Sequence, residues 1–210
     1  MKSILCFGDS NTWGLIPGTQ ERYAWGVRWT SILQMKLDGA ECRVIEEGLC
    51  GRTTVFEDQR RAGRAGSTIL PIMLETHSPI SLVILMLGTN DCKAAYGASV
   101  GQICEGIHKL LDQINSASKA CKVLLVSPIE LGRDVWKPEY DQEFNQYSVE
   151  KSKELGHAYK KIARDRNIAF LAAADYAKPS VVDMEHIDEE GHKALADAVW
   201  AKVAQLLAEK

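Results

Sequence analysis

Five short apolar segments constrain the fold of this chain more strongly than any other feature of its sequence. They are SILCF (3–7), RVIE (43–46), LVILML (82–87), VLLVS (123–127) and IAFL (168–171). Each segment is mostly apolar and does not alternate between apolar and polar residues. This pattern is typical of parallel strands in a sheet that is covered on both faces.

Amphipathic stretches lie between these segments and indicate helices. The helical patterns cover 28–37, 100–114, 152–166 and 189–207, and the last repeats its apolar residues at i, i+3 and i+4. Strands that alternate with helices predict a three-layer α/β/α fold around a five-stranded parallel sheet, in the flavodoxin-like order 2-1-3-4-5. The sequence contains no internal repeat and no linker, so 1–210 is predicted to form a single domain.

Charge and cysteine usage exclude several classes of partner. The chain has 25 Lys and Arg against 28 Asp and Glu, with a net charge of -3 and no basic stripe. We therefore expect no nucleic-acid partner and no binding to a membrane surface. No apolar run has the length of a membrane span, and the N-terminus lacks a signal-peptide pattern. The six cysteines are scattered and form no C-x-x-C, which favours free thiols in the cytoplasm and no metal site.

Polar, glycine-spaced segments follow four of the predicted strands. Gly8-Asp9-Ser10-Asn11 follows the first strand, EGLCGRTT (47–54) the second, Gly88-Thr89-Asn90-Asp91 the third and VVDMEHIDEEGH (181–192) the fifth. In open parallel sheets, ligands bind beyond the carboxyl ends of the strands. The sequence therefore predicts a site at this edge of the sheet.

These segments supply the groups that acyl transfer requires. Ser10 is a candidate nucleophile, and a serine needs a base within hydrogen-bond reach. His186 is the candidate base, and Asp183, three residues earlier, can orient its imidazole. The backbone N–H groups of Ser10 and Gly51 and the amide of Asn90 can stabilise an oxyanion. Gly51 suits this role because a residue without a side chain lets the ligand approach its N–H closely.

Four blocks of the chain resemble the SGNH (GDSL-like) hydrolases: GDSN around Ser10, GLCGRT around Gly51, GTND around Asn90, and DMEH with Asp183 and His186. The resemblance implies the SGNH hydrolase fold and assigns the five residues the roles just given. Longer stretches, among them ILCFGDS, VIEEGL and VLLVSP, resemble the intracellular arylesterase/acyltransferase branch. That branch implies a serine esterase for small-molecule short-chain (acetyl) and aryl esters, acyl transfer to alcohols in some members, no cofactor, and a homo-oligomer.

Two residues near Ser10 are candidate substrate-binding residues. Asn11 stands where the family name expects leucine, and Trp13 lies three residues past Ser10. An aromatic side chain this close to a nucleophile can line the acyl or leaving-group pocket, but a tryptophan is as readily part of the core. Leu15 occupies a place where some relatives carry an aromatic residue near the acyl pocket.

Each candidate has a competing interpretation. Ser10 could cap a helix, because serine is common at that position. His192 also has an acidic residue three positions earlier, but it falls inside a helix that Asp188 is predicted to cap. Cys50 and Cys92 could be thiol nucleophiles, but neither has an evident base.

The fold also allows other functions. A carbohydrate deacetylase, a thioesterase or a lysophospholipase could use the same site, because specificity lies in the loops. A flavodoxin-like cofactor-binding protein is a more distant alternative, since SNTWG loosely resembles a phosphate-binding turn. The segment 128–148 is long, aromatic and irregular, which is typical of a lid or a partner surface. The basic segment 60–66 is predicted to be a solvated loop.

Overall fold

The predicted strands form one parallel sheet in the order β2-β1-β3-β4-β5. A computed structural model of the chain describes residues 1–208. The strand bounds are β1 Lys2–Gly8, β2 Cys42–Gly48, β3 Leu82–Met86, β4 Lys122–Ser127 and β5 Ala169–Ala172. The predicted strand order is confirmed, and each strand lies within two residues of its predicted bounds.

Helices cover both faces of the sheet. Their bounds are α1 Ser10–Trp13, α2 Trp29–Lys36, α3 Gly66–Thr76, α4 Val100–Ala117, α5 Gln146–Asp165 and α6 Glu189–Ala208. Short 3₁₀ turns occupy Asn90–Cys92, Ala94–Tyr96 and Ala173–Asp175. Among residues 1–208, no helix combines the length and the apolar composition that crossing a membrane would require.

Two separate cores explain why the strands are apolar throughout. Leu5 and Phe7 of β1 pack in one core with residues of α3, α4 and α5. Ile4 and Cys6 of the same strand pack in the other core with residues of α2 and α6. Successive side chains of a strand point to opposite faces, so a strand buried on both faces has no polar position.

Helix α3 was missed by the sequence analysis. Its sequence, GSTILPIMLET, contains Pro71 inside the helix, and proline normally interrupts a helical pattern. The helix forms nevertheless, with Leu70 and Leu74 buried in the core beside α4. Tertiary packing therefore outweighs an unfavourable local sequence here.

Helix α5 begins earlier than the periodicity predicts, at Gln146 instead of 152. Asn145 caps it: its side chain accepts the N–H of Ser148, and the Ser148 hydroxyl accepts the N–H of Asn145. This reciprocal pair satisfies two backbone donors that a helix start leaves free. The irregular part of the predicted 128–148 segment is thus shorter, and its Val135 and Phe144 are buried in the core.

Gly48 lies where β2 passes closest to the turn that carries Ser10. A Cβ atom at Gly48 would stand 2.1 Å from the backbone nitrogen of Trp13. We expect Gly48→Ala to lower the free energy of unfolding by about 1–3 kcal/mol, because the backbone of α1 must move. Urea unfolding measures this change.

The matched control is Gly101→Ala in α4. A Cβ at Gly101 would meet its nearest neighbour, Ser99 Oγ, at 3.7 Å. That substitution should be neutral or stabilising by up to about 1 kcal/mol, because alanine is the better helix former. Equal stabilities of the two variants would contradict the close approach at Gly48.

Candidate active site

Ser10 is the first residue of α1, the single helical turn that follows β1. The carboxylate of Asp9 accepts the N–H of Asn11 at 3.0 Å and caps this turn, so the alternative of Ser10 as the N-cap is wrong. Gly14 closes the turn in a left-handed conformation, with φ +87. The sharp turn presents the Ser10 hydroxyl at the carboxyl edge of the sheet.

His186 joins Ser10 to Asp183. Its Nε2 lies 2.8 Å from Ser10 Oγ, and its Nδ1 lies 2.9 Å from Asp183 Oδ2. Both distances are within hydrogen-bond range. A serine hydroxyl, a base in contact with it and a carboxylate that orients the base form the arrangement that nucleophilic catalysis by serine requires.

The same carboxylate shapes the loop that carries His186. Asp183 Oδ1 accepts the backbone N–H groups of Glu185 and His186, both at 3.0 Å. Asp183 Oδ2 also accepts the N–H of Gly18 at 2.9 Å. The residue that orients the imidazole therefore also positions the backbone on which it is mounted.

Asn11 ties this loop to the turn of Ser10. Its Oδ1 accepts the N–H of Ile187 at 3.0 Å, and its Nδ2 donates to the carbonyl of Glu185 at 3.4 Å. Both ends of the amide are thus bonded to the His186 loop. Within residues 1–208, Asn11 is not among the residues that line the cavity beside Ser10. Asn11 was predicted to contact the substrate, and in the structure its amide bonds the backbone of the His186 loop.

Trp13 lies outside the same cavity. Its ring is covered by the guanidinium of Arg22, whose central carbon is 5.4 Å from the ring centroid. Among the described residues, the cavity wall near Ser10 includes Leu15 but not Trp13. Trp13 was predicted to contact the substrate, but it does not line the cavity beside Ser10.

Gly51 and Asn90, the two other candidate oxyanion donors, lie in the segments that follow β2 and β3. Gly51 has a φ of +82, which favours glycine, and its N–H has no hydrogen-bond partner within residues 1–208. Asn90 Nδ2 donates to the carbonyl of Arg52 at 3.1 Å, and an amide nitrogen has a second N–H to offer. Both residues line the cavity together with Ser10 and His186.

The chain matches a known family model over residues 6–194, the GDSL-like Lipase/Acylhydrolase family. The chain belongs to this family. The resemblance seen in the four sequence blocks is therefore confirmed, and the protein is a GDSL-type ester hydrolase. A comparison with curated protein sequences gave no match.

Solved structures of related enzymes share the whole fold of this GDSL hydrolase. Est24, a carbohydrate acetylesterase from Sinorhizobium meliloti, is 38% identical with a TM-score of 0.89, over 98% of this chain and 100% of that chain. The inhibitor-bound M. smegmatis aryl esterase is 35% identical with a TM-score of 0.90, over 98% of this chain and 100% of that chain. A carbohydrate acetylesterase family member from Sinorhizobium meliloti is 32% identical with a TM-score of 0.91, over 99% of each chain.

Arg52 supports this GDSL site, and the sequence analysis missed it. Its Nη1 donates to the carbonyl of Gly8 at 2.9 Å and also to the carbonyl of Glu47. Its guanidinium lies 4.1 Å from the centroid of the Phe7 ring, and burial lowers its pKa to about 10. Because its own carbonyl holds Asn90, Arg52 joins the ends of β1 and β2 to the turn after β3.

Two buried carboxylates support the turns beside the site residues. Asp91 Oδ1 accepts the N–H of Thr54 at 2.9 Å and also its hydroxyl. Asp9 caps α1, as described above. Burial is the largest influence on both groups and raises the pKa of each to about 6. These contacts agree with the interpretation of both residues as turn supports.

The competing candidates lie in environments that do not suit a base or a nucleophile. His192 is inside α6, where its Nδ1 accepts the N–H of Trp29 at 3.2 Å and burial lowers its pKa to about 4. Burial raises the pKa of Cys92 to about 12 and also raises the pKa of Cys50. Both thiols are therefore protonated near neutral pH and are poor nucleophiles.

The cavity beside Ser10 has a volume of about 330 Å³ and a largely charged wall. Its charged lining residues are Asp58, Arg60, Arg61, Lys93, Asp141, Glu143, Glu185 and His186. A larger groove of about 870 Å³ lies between α3 and α4 and contains none of the candidate site residues. Among residues 1–208, no cluster of three or more His, Cys, Asp or Glu is arranged to hold a metal ion.

The pKa values of the acid–base pair move in opposite directions. Burial favours the neutral imidazole of His186, but the nearby Glu185 carboxylate and the hydrogen bond to Asp183 outweigh it and raise the pKa above 6.5. Burial would raise the pKa of Asp183, but the hydrogen bonds from His186 outweigh it and lower that pKa. The carboxylate therefore stays charged and favours the imidazolium form.

We expect NMR titration of the histidine rings to separate the two buried histidines. His186 should become protonated at a higher pH than an ordinary histidine, whereas His192 should stay neutral until about pH 4. Glu185→Gln should lower the His186 pKa because it removes a nearby negative charge.

The control for this titration is Glu190→Gln, which removes an exposed carboxylate at the start of α6. It should leave the pKa of His186 unchanged. A His186 pKa below that of an ordinary histidine in the unmodified protein would contradict the electrostatic account of the site.

Proposed function

We propose that this protein hydrolyses short-chain, above all acetyl, and aryl carboxylic esters through a Ser10-His186-Asp183 triad and an acyl-enzyme. The observation that carries the proposal is the pair of hydrogen bonds made by His186, at 2.8 Å to Ser10 and 2.9 Å to Asp183, on the wall of a cavity. The family membership of the chain and the aryl esterase and carbohydrate acetylesterase among its neighbours support the same chemistry.

In the first step, His186 Nε2 takes the proton of Ser10 while Ser10 Oγ attacks the ester carbonyl. The N–H groups of Ser10 and Gly51 and the amide of Asn90 stabilise the negative charge on the carbonyl oxygen. The imidazolium then gives its proton to the leaving alkoxide, and the alcohol departs. An acyl group remains on Ser10.

In the second step, water attacks the acyl group with His186 as the base, and the acid is released. An acceptor alcohol in place of water would give acyl transfer. Because the imidazolium cannot accept a proton, activity should be lost as the pH falls through the raised pKa of His186.

The size and polarity of the cavity favour small, polar esters. Leu15 is the only side chain with a purely hydrocarbon surface in its wall, within the part of the chain that the structure describes. A long acyl chain needs a continuous apolar surface, so a lysophospholipase is disfavoured. Charged walls suit hydroxylated alcohols, and this observation favours an acetyl ester of a carbohydrate as a second candidate substrate.

The decisive variant for this proposal is Ser10→Ala. It should reduce turnover of nitrophenyl acetate by about 10³-fold or more, because the covalent step is lost. The unmodified enzyme should act poorly on the nitrophenyl ester of a long-chain acid. Ser116→Ala, an exposed position in α4, is the matched control. A folded Ser10→Ala variant that keeps its activity would exclude Ser10 as the nucleophile.

Asn90→Ala tests the proposed stabilisation of the oxyanion. We expect a loss of about 10²–10³ in kcat, the usual cost of one donor. Circular dichroism should show a folded protein, and Asn115→Ala on the exposed surface of α4 should keep full activity. An unchanged kcat would remove Asn90 from the mechanism.

A further inference from the structure

Glu185 is a buried carboxylate without a hydrogen-bond donor. Its exposed fraction is 7%, and it lines the cavity beside Ser10. Among residues 1–208, no group donates a hydrogen bond to its side chain, and its ion-pair partner is His186. Its oxygens are not among the fully enclosed side-chain atoms that lack a partner, so they are open to a hydrogen-bond donor in the cavity.

The other charges in the cavity wall already have partners. Lys93 pairs with Glu143, and Arg61 pairs with Asp58 at 3.2 Å. These two cations therefore have carboxylate partners of their own, although the charge of Lys93 still acts to lower the pKa of Glu185. Burial, the largest influence, raises its pKa, as expected for a carboxylate that lacks donors.

The backbone of Glu185 is held by the groups that build the active site. Its N–H donates to Asp183 Oδ1 at 3.0 Å, and its carbonyl accepts Asn11 Nδ2 at 3.4 Å. These bonds determine the direction in which the side chain leaves the loop. The carboxylate is therefore a built part of the cavity wall and not a mobile surface group.

The Glu185 carboxylate also lies close to His186 Nε2, the atom that protonates the leaving group in the proposed mechanism. Glu185 Oε1 is 3.9 Å from His186 Nε2, which is 2.8 Å from Ser10 Oγ. In acyl transfer, Nε2 must reach the departing oxygen to protonate it. A group this near to Nε2 therefore stands beside the alcohol portion of the ester.

We propose that Glu185 is a specificity-determining residue that accepts a hydrogen bond from a hydroxyl or ammonium group on the alcohol portion of the substrate. The inference rests on the proposed esterase function. The donor would satisfy the buried carboxylate, and an alcohol without a donor would leave it unpaired. The two kinds of alcohol should therefore differ in kcat/KM even when their shapes are the same.

Two pairs of acetate esters test this selectivity. The first compares 2-hydroxyethyl acetate with propyl acetate, and the second compares 2-(dimethylamino)ethyl acetate, protonated at neutral pH, with 3-methylbutyl acetate. The two esters of a pair have nearly the same shape, but only one of them carries a hydrogen-bond donor on its alcohol portion. In at least one pair, we expect the ester that carries the donor to have a kcat/KM about tenfold or more above that of the ester without it. The measurement is acetate release, and the reason is that the donor forms a hydrogen bond to a charged group.

Glu185→Leu should lower both ratios by about tenfold, to the value set by the intrinsic reactivity of the two esters. Glu185→Gln, which keeps the shape and an acceptor oxygen, should retain part of the hydroxyl preference and lose the ammonium preference. Effects on the chemistry of His186 cancel in each ratio, because both esters of a pair use the same base. Glu190→Gln is the matched control: it removes an exposed carboxylate at the start of α6, outside the cavity beside Ser10. It should leave the ratios unchanged.

The outcomes separate this inference from the proposed function. Ser10-dependent turnover of nitrophenyl acetate with no donor preference, or with ratios that Glu185→Leu leaves unchanged, overturns the role of Glu185 and leaves the esterase intact. A preference in only one pair supports the role and identifies the donor as hydroxyl or ammonium. An enzyme with no Ser10-dependent turnover overturns both proposals.

Discussion

The pairing of β1 with β2 on one side and with β3 on the other is the constraint on which the active site depends. In this register Gly8 stands opposite Gly48 and Met86, so the three strands end at the same level. The segments that follow them carry Ser10, Gly51 and Asn90 into one cavity. A shift of the strands by one residue would move the buried side chains to the wrong face and separate these three groups.

Buried polar groups hold this edge of the sheet together. Arg52 bonds the ends of β1 and β2, Asp91 bonds the segment that contains Thr54, and Asn11 bonds the loop of His186. Each of these side chains is almost completely buried. Their hydrogen bonds replace water for backbone groups that leave the strands at the site, and they also fix the geometry that acyl transfer requires.

The parts that sequence reasoning predicted well have strong local signals. Apolar runs marked the strands, and the spacing of Asp183 and His186 marked the acid–base pair. The position of His192 inside a helix could also be predicted, because a helical pattern follows Asp188. In the structure, Asp188 accepts the N–H of Gly191 and caps this helix. These signals lie within a few residues of each other, so no long-range contact is needed to interpret them.

The parts that it missed depend on contacts between distant segments. Helix α3 carries Pro71, and only the core beside α4 shows why it forms. Asn11 reaches backbone atoms about 175 positions further along the chain, and Arg52 reaches Gly8. Neither residue differs, in the sequence alone, from an ordinary turn or surface residue.

The sequence by itself determined the layer architecture through its periodicity, and its short motifs indicated the family, the strand order and the candidate site residues. Only the tertiary structure decided how those groups are supported and what surrounds them. In the folded chain, the Asn11 amide bonds the His186 loop and does not line the cavity beside Ser10. The Glu185 carboxylate lies beside His186 without a hydrogen-bond donor among the described residues. Burial and hydrogen-bond partners are properties of the folded chain, and neither can be read from the order of residues in a short motif.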